Sequence, residues 1–228
     1  MRIAVFSDIH GNRAALDAVF ADIDLQRPDV TVCGGDLAFG GPDPEGSVQR
    51  VIAVAAPCVR GNTDEWLTPT ATERDPIADW TRARLSSASR RYLAALPFDH
   101  RLDDLVIVHA TPWSVSDLIR KDAGAPEIRR VLAEARAAAV VYGHIHLPWI
   151  GEVSGGGLLV NAGSVGFPFD GDPRPSYALL EKTPSGWRAS IRRIVYDTDR
   201  AAASMPEDHP AREAWARRMR TGRRDADA

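Results

Sequence analysis

Ile3-Ala4-Val5-Phe6-Ser7-Asp8-Ile9-His10-Gly11-Asn12 decides what kind of fold this chain can adopt. Residues 3–7 are a short apolar run of the kind that a strand buried on both faces requires. The run delivers an Asp and a His, and two-residue alternation puts Asp8 and His10 on the same side of the chain. Leu16, Val19, Phe20 and Ile23 follow at helical spacing, which predicts an amphipathic helix over 13–25 with Pro28 closing the connection. Val30-Thr31-Val32-Cys33 reads as a second strand, Val48, Val51, Ile52 and Ala55 mark a second helix, and Cys58-Val59-Arg60 reads as a third strand. A β-α-β-α-β run of this kind implies parallel strands with helical crossovers.

Further along, the segment 72–96 is expected to be helical and punctuated, with Ile77, Trp80 and Leu85 inward and Pro97 ending it. Leu105-Val106-Ile107-Val108 is a strand that delivers His109. Pro126 opens a helix through about Arg136, and Ala139-Val140-Val141-Tyr142 is the strand before Gly143. From there only strands are expected, over 148–153, 157–161, 176–182 and 187–196, with Gly155-Gly156-Gly157 and Pro184-Ser185-Gly186 as turns. A parallel half followed by an antiparallel half predicts two packed sheets with helices outside. One domain is expected over 1–200, and the Arg-rich tail over 201–228 reads as a solvated helix that frays.

Five motifs each follow a strand: Asp8-x-His10, Gly34-Gly35-Asp36, Gly61-Asn62-Thr63-Asp64, His109 and Gly143-His144-Ile145-His146. Taken singly, most have an ordinary explanation. An Asp after a strand caps helices, Gly-Asn makes turns, and a lone His is usually structural. Their conjunction points elsewhere, because open α/β sheets gather ligands outside the carboxyl ends of their strands. Asp8, His10, Asp36, Asn62, His109, His144 and His146 combine imidazole, carboxylate and amide oxygen, a donor set suited to divalent metals such as Mn²⁺, Fe²⁺ or Zn²⁺. Seven ligands exceed the needs of one ion and suit two ions sharing a carboxylate. Two-metal sites most often act on phosphate esters.

Composition limits the alternatives. The chain has 228 residues, long enough for one large α/β domain, with 44% apolar and 26% charged residues. A net charge of −3, with no basic stripe, argues against long nucleic acid as the partner. No apolar stretch approaches the roughly 18 residues of a membrane span, and the N-terminus lacks a signal-peptide layout, so a cytoplasmic location is expected. The two cysteines, Cys33 and Cys58, lie in apolar runs and read as core thiols.

The five motifs, in that order, resemble the calcineurin-like metallophosphoesterase superfamily. Asn161-Ala162-Gly163-Ser164-Val165-Gly166, followed by Asp170-Gly171-Asp172-Pro173-Arg174 and Ser176-Tyr177-Ala178, is similar to its small bacterial and archaeal branch, related to the YfcE-type phosphodiesterases. The resemblance covers about residues 1–196. It implies a four-layer α-β-β-α sandwich of two mixed sheets. It also implies two divalent metal ions, Mn²⁺ favoured, with Fe, Ni, Zn or Mg as alternatives. One ion would take Asp8, His10, Asp36 and His146; the other would take Asp36, Asn62, His109 and His144, with Asp36 as the bridge and a metal-bridging hydroxide attacking phosphorus. Asp36, Asn62 and His109 are the residues expected to carry catalysis.

The expected activity is phosphodiester hydrolysis on small phosphate esters or nucleotides. A phosphomonoesterase, or a non-catalytic binding module that retains the fold, is the alternative, and a homo-oligomer is compatible with either. Many relatives carry His where Thr63 stands, and a Thr cannot serve as a comparable acid near neutral pH. Asn12, Thr63, Asp64 and Ser164 are candidate substrate or supporting contacts. Arg174 could meet a substrate anion, and Phe39, Phe167 and Phe169 could stack on a base.

Overall fold

The computed structural model describes residues 1–224. Two mixed sheets form its middle. The first has the order β2-β1-β8-β9, from β1 (Arg2–Phe6), β2 (Val30–Cys33), β8 (Ser176–Thr183) and β9 (Gly186–Arg193). The second has the order β3-β4-β5-β7-β6, from β3 (Asp99–Leu102), β4 (Leu105–Val108), β5 (Ala139–Tyr142), β6 (Trp149–Val153) and β7 (Gly157–Asn161). The parallel and antiparallel stretches of the chain therefore do not make one sheet each. β1 pairs in parallel with β2 and antiparallel with β8, so the late hairpin β8–β9 completes the sheet begun by the first residues.

Strand alternation builds the layers. Ile3 and Val5 face a core between the sheets, which also holds Ile107, Val141, Val160, Ala178 and Leu180. Ala4 and Phe6, their neighbours in β1, face the other way onto α1 (Arg13–Gln26) and α2 (Pro44–Ala53). In the second sheet Val106, Val108, Val140 and Tyr142 turn outward onto α6 (Ala125–Ala135). Strands buried on both faces must be apolar at every position, as β1, β4 and β5 nearly are. The result is helix, sheet, sheet, helix, as the resemblance implied.

Local chemistry sets the helix ends. Asn12 accepts from the Ala15 amide to cap α1, and Arg27 ends it in the left-handed region just before Pro28. Asp43 and Asp75 cap α2 and α4 (Pro76–Arg84), each with Pro in the first turn. The expected helical stretch 72–96 is two helices, α4 and α5 (Ser87–Ala94), because Ser86 caps a new start.

One expectation needs correction, and one strand, β3, was not foreseen. Cys58-Val59-Arg60 is not a strand: Cys58 makes a single parallel bridge to Cys33, and the Arg60 amide turns away to the Pro97 carbonyl. β3 carries Asp99, His100 and Arg101, so its half-exposed sheet edge lacks the apolar signature of a strand. Both cysteines are free and buried, as read.

The tail also differs from a solvated, fraying helix. After α7 (Thr198–Ala203), α8 (Arg212–Thr221) packs Trp215, Ala216 and Met219 onto Phe167, and Trp215 is only 2% exposed. The last four residues of the expected tail lie outside the described residues. Among the described residues no helix is long and apolar enough to cross a membrane.

Candidate metal centre

The parallel strands β1 and β2 of one sheet and β4, β5 and β7 of the other end at a common edge, and every motif leaves from one of these ends or from the bridge at Cys58. Backbone bonds weld the loops together. The Asp8 and His10 amides donate to Gly35 and Asp36 carbonyls, the Gly143 amide to His109, and the Val165 and Gly166 amides to Ser7 and Asp8. Asn62 opens the short helix α3 (Asn62–Trp66) instead of sitting in a plain turn.

Five of the candidate ligands, Asp8, His10, Asp36, His144 and His146, have positive φ between 48° and 65°. Non-glycine residues rarely adopt this left-handed conformation, and its recurrence marks a site where the surroundings over-determine the backbone. Glycine is needed at 61 and 143 for a different reason. A Cβ there would overlap the Asp36 and Asp8 carboxylates respectively.

All seven side chains converge. Asp36 Oδ2 lies 3.6 Å from His10 Nε2 and also 3.6 Å from His109 Nε2. His146 Nε2 is 3.1 Å from Asp8 Oδ1, and His10 and His146 bring their Nε2 atoms to 3.2 Å. Asn62 Oδ1 is 3.0 Å from His109 Nε2, and the His109 and His144 rings are 5.1 Å apart between centroids. Asp8, His10 and His146 offer ligand atoms within 4.8 Å of one another, and so do Asp8, Asp36 and His109.

The imidazoles are oriented by their far nitrogens. Nδ1 of His10, His109 and His146 faces the carbonyls of Phe39, Gly34 and Phe167 at 3.1, 2.8 and 2.5 Å. A carbonyl only accepts, so Nδ1 carries the proton and Nε2 presents a lone pair inward. His144 is reversed: its Nε2 donates to the Ser116 carbonyl at 3.2 Å, which leaves Nδ1 as the lone pair. This donor set of inward lone pairs and carboxylates fits divalent cations and is hard to satisfy without positive charge.

Electrostatics agree. Burial, reinforced by His146, pulls His10 down to about 4, so it is neutral at pH 7. Burial and His109 also lower His144. Burial would lower His109 as well, but the Asp36 and Asp8 charges outweigh it and raise the ring. Burial would raise Asp8, yet His146 and the other rings hold its carboxyl well below the usual range.

The four supporting candidates are all buried. Asp64 accepts from the amides of Gly61, Asp36 and Leu37 at 2.9, 2.8 and 3.0 Å, tying the Asn62 loop to the Asp36 loop. Burial and the Asp36 charge push its carboxyl up to about 7. Ser164 donates to the Asp8 carbonyl and accepts from the Phe167 amide, so it braces the first loop. Asn12 caps α1 and donates to Gly166 and Tyr196, which occupies its amide. Thr63 gives its amide to Asp36 Oδ1 at 2.9 Å, while its buried hydroxyl finds no partner among the described residues.

The other candidates lie apart from the donor cluster or pack beside it. Arg174 is exposed and paired with Asp172. Phe39 packs edge-on to Trp66, Phe167 stacks on Trp215, and Phe169 stacks on His146. Trp215 is the neighbour that the sequence reading missed, with its ring 6.3 Å from His10 and 4.2 Å from Phe167. The signal was present in the apolar set Trp215, Ala216 and Met219 at helical spacing, but the density of arginines around it masked the stripe.

Residues 1–184 match the family model of the calcineurin-like phosphoesterase superfamily domain. A metallophosphoesterase from Sphaerobacter thermophilus has a similar structure, with 27% identity, a TM-score of 0.79 and coverage of 97% of this chain and 99% of its own. A hypothetical protein from Pyrococcus horikoshii shares the fold at 17% identity, with a TM-score of 0.82 and 98% and 99% of the two chains covered. An uncharacterized protein of Methanocaldococcus jannaschii is 26% identical over 87% of this chain and 89% of its own length.

Proposed function

This chain belongs to the calcineurin-like phosphoesterase superfamily, and on that premise we propose that it is a dinuclear metal-dependent phosphodiesterase acting on small phosphate esters or nucleotides. The observation that carries the proposal is the placement of Asp36 Oδ2 at 3.6 Å from both His10 Nε2 and His109 Nε2. A carboxylate so placed can bridge two cations. His10, His146 and Asp8 would hold one ion with it, and Asn62, His109 and His144 the other. Mn²⁺ is the favoured metal, with Fe, Ni, Zn or Mg as alternatives that the same nitrogen and oxygen donors would also accept.

When bound, the two cations would supply Lewis acidity and lower the pKa of coordinated water. The protein's own part is preorganisation. Carbonyl-anchored imidazoles, left-handed ligand loops and the Asp64 brace hold the donors in place, so little reorganisation is left for the reaction. Thr63 stands close to Asp36 and can donate a hydrogen bond to a phosphoryl oxygen, but it cannot protonate a leaving group as an imidazolium would. A binding module would be expected to lose ligands, and the full set of seven converging donors favours the enzyme. Free buried Cys33 and Cys58 are in keeping with a reducing, cytoplasmic setting.

The test is hydrolysis of bis(p-nitrophenyl) phosphate by metal-stripped protein, with and without Mn²⁺, beside Asp36→Asn. Mn²⁺-dependent turnover that falls at least about 100-fold in the variant is expected. Folded protein that binds metal yet turns over no diester, while cleaving p-nitrophenyl phosphate, would replace the diesterase by a monoesterase.

A further inference from the structure

The residues after position 184 lie beyond the family match, yet they reach the metal centre. Trp215 of α8 fills the space over Gly40 and packs against Phe39 and Phe167. Gly222, at a φ of +63°, ends α8 and turns the chain, and its carbonyl accepts from the Gly171 amide at 2.8 Å. That turn lays the following residues over the loop carrying Phe169.

The guanidinium carbon of Arg224 sits 4.4 Å over the Phe169 ring. Phe169 in turn stacks on His146, with centroids 4.5 Å apart and planes 12° from parallel. His146 occupies one face of the phenyl ring, so Arg224 takes the other. Guanidinium, phenyl and imidazole thus form a column that leads outward from the Asp8–His146 pair. Among the described residues, the carboxylates of the Phe169 loop pair elsewhere: Asp170 with Arg193 and Asp172 with Arg174. A guanidinium held over an aromatic ring keeps N–H donors that can form the two-pronged contact that suits a phosphate. The stack also limits the side-chain freedom that anion binding would otherwise remove.

We propose that Arg224 is a specificity residue that binds a second phosphate of the substrate, on the far side of the Phe169 ring from the metal ligand His146. The inference rests on the phosphoesterase reading above, and it narrows the substrate class to phosphate esters that carry a further phosphate, such as nucleoside bisphosphates.

The test is calorimetric titration of the full chain, in excess Mn²⁺, with thymidine 3′,5′-bisphosphate and with thymidine 5′-monophosphate. Wild type should bind the bisphosphate about tenfold more tightly than the monophosphate. Arg224→Gln should reduce that advantage to about twofold or less, and Arg224→Lys should keep part of it, because charge survives without the fork. Loss of the advantage in Arg224→Gln with an unchanged melting temperature supports recognition over a structural role. An equal advantage in wild type and Arg224→Gln, or none in wild type, overturns the proposal. Wild-type hydrolysis of bis(p-nitrophenyl) phosphate is measured in parallel. Its absence with the bisphosphate preference intact would count against the hydrolase and leave the role of Arg224 standing.

Discussion

His10 and His146 point their Nε2 atoms at each other across 3.2 Å, although 136 residues separate them in the chain. Each ring commits its Nδ1 proton to a backbone carbonyl, of Phe39 and of Phe167, and in that tautomer the two Nε2 atoms meet as lone pairs. Two lone pairs held face to face repel, and a shared cation converts that repulsion into binding.

Metal should therefore stabilise the fold. Mn²⁺ at roughly 100 times its dissociation constant adds about 2.7 kcal/mol, or about 5–10 °C in the melting temperature of a chain this size. His10→Ala should abolish most of the shift while melting no lower than the metal-free wild type. A thermal scan in which Mn²⁺ moves both proteins equally would refute this.

Asp64 gives a second prediction. Its two oxygens satisfy three buried amides, and an amide side chain at this position must leave at least one of them facing an N–H. Asp64→Asn should cost about 1–3 kcal/mol in urea denaturation and weaken Mn²⁺ binding about 10–100-fold. Wild-type metal affinity in the variant would remove the brace from the account.

With Thr63 in place of an acid, the leaving group must depart largely unprotonated. Activated aryl diesters should be cleaved at least about 100-fold faster than alkyl diesters, the range that general acid catalysis ordinarily supplies. Equal rates in a leaving-group series would show that another group donates the proton.

Asp22 ties α1 to the first sheet. It accepts from Arg192 Nε at 2.6 Å and from the Tyr177 hydroxyl at 2.6 Å. The Arg192 bonds, chiefly, hold its carboxyl below the ordinary 3.8 in spite of burial. The stabilisation is therefore complete above that value and is lost as pH falls through the lower folded-state pKa. Asp22→Asn should cost about 1–2 kcal/mol near neutrality, the lower part of the range for charged hydrogen bonds because Arg192 is partly exposed. The gap between variant and wild type should close as pH falls through the folded-state pKa, which lies below 3.8. A gap that stays constant on acid titration would mean that the charge contributes nothing.

Trp215 secures α8. Trp215→Ala should destabilise the protein by about 3–5 kcal/mol, as for other buried Trp truncations. It should also expose the chain beyond residue 204 to limited proteolysis, while Trp215→Phe retains the stack on Phe167. Equal protease resistance in the Ala variant would show that α8 docks by other contacts.

The chemistry of the centre was legible in the sequence because six of the seven donors follow a strand by one to four residues, with Asn62 following the bridge at Cys58, and motifs that short survive as local patterns. The strands buried on both faces were legible for the same reason: Ile3–Phe6 and Leu105–Val108 leave no polar residue to hide. β3 was not, since an edge strand with Asp99, His100 and Arg101 has solvent on one side and needs no apolar signature. Nor could the sequence show that β8 completes the sheet of β1, because that pairing joins Arg2 to Glu181 and is specified by cross-strand packing at long range.

The amino-acid sequence by itself determined the donor types, their order and the parallel strands that present them, all of which depend on residues a few positions apart. Only the tertiary structure decided which nitrogen of each imidazole faces inward. Each choice depends on a distant partner: Phe39 for His10, Gly34 for His109, Phe167 for His146 and Ser116 for His144. It also decided the fate of the arginine-rich end, where composition predicts solvation. One buried Trp against Phe167 outweighs that tendency, because apolar area removed from water stabilises more than the exposed charges around it cost.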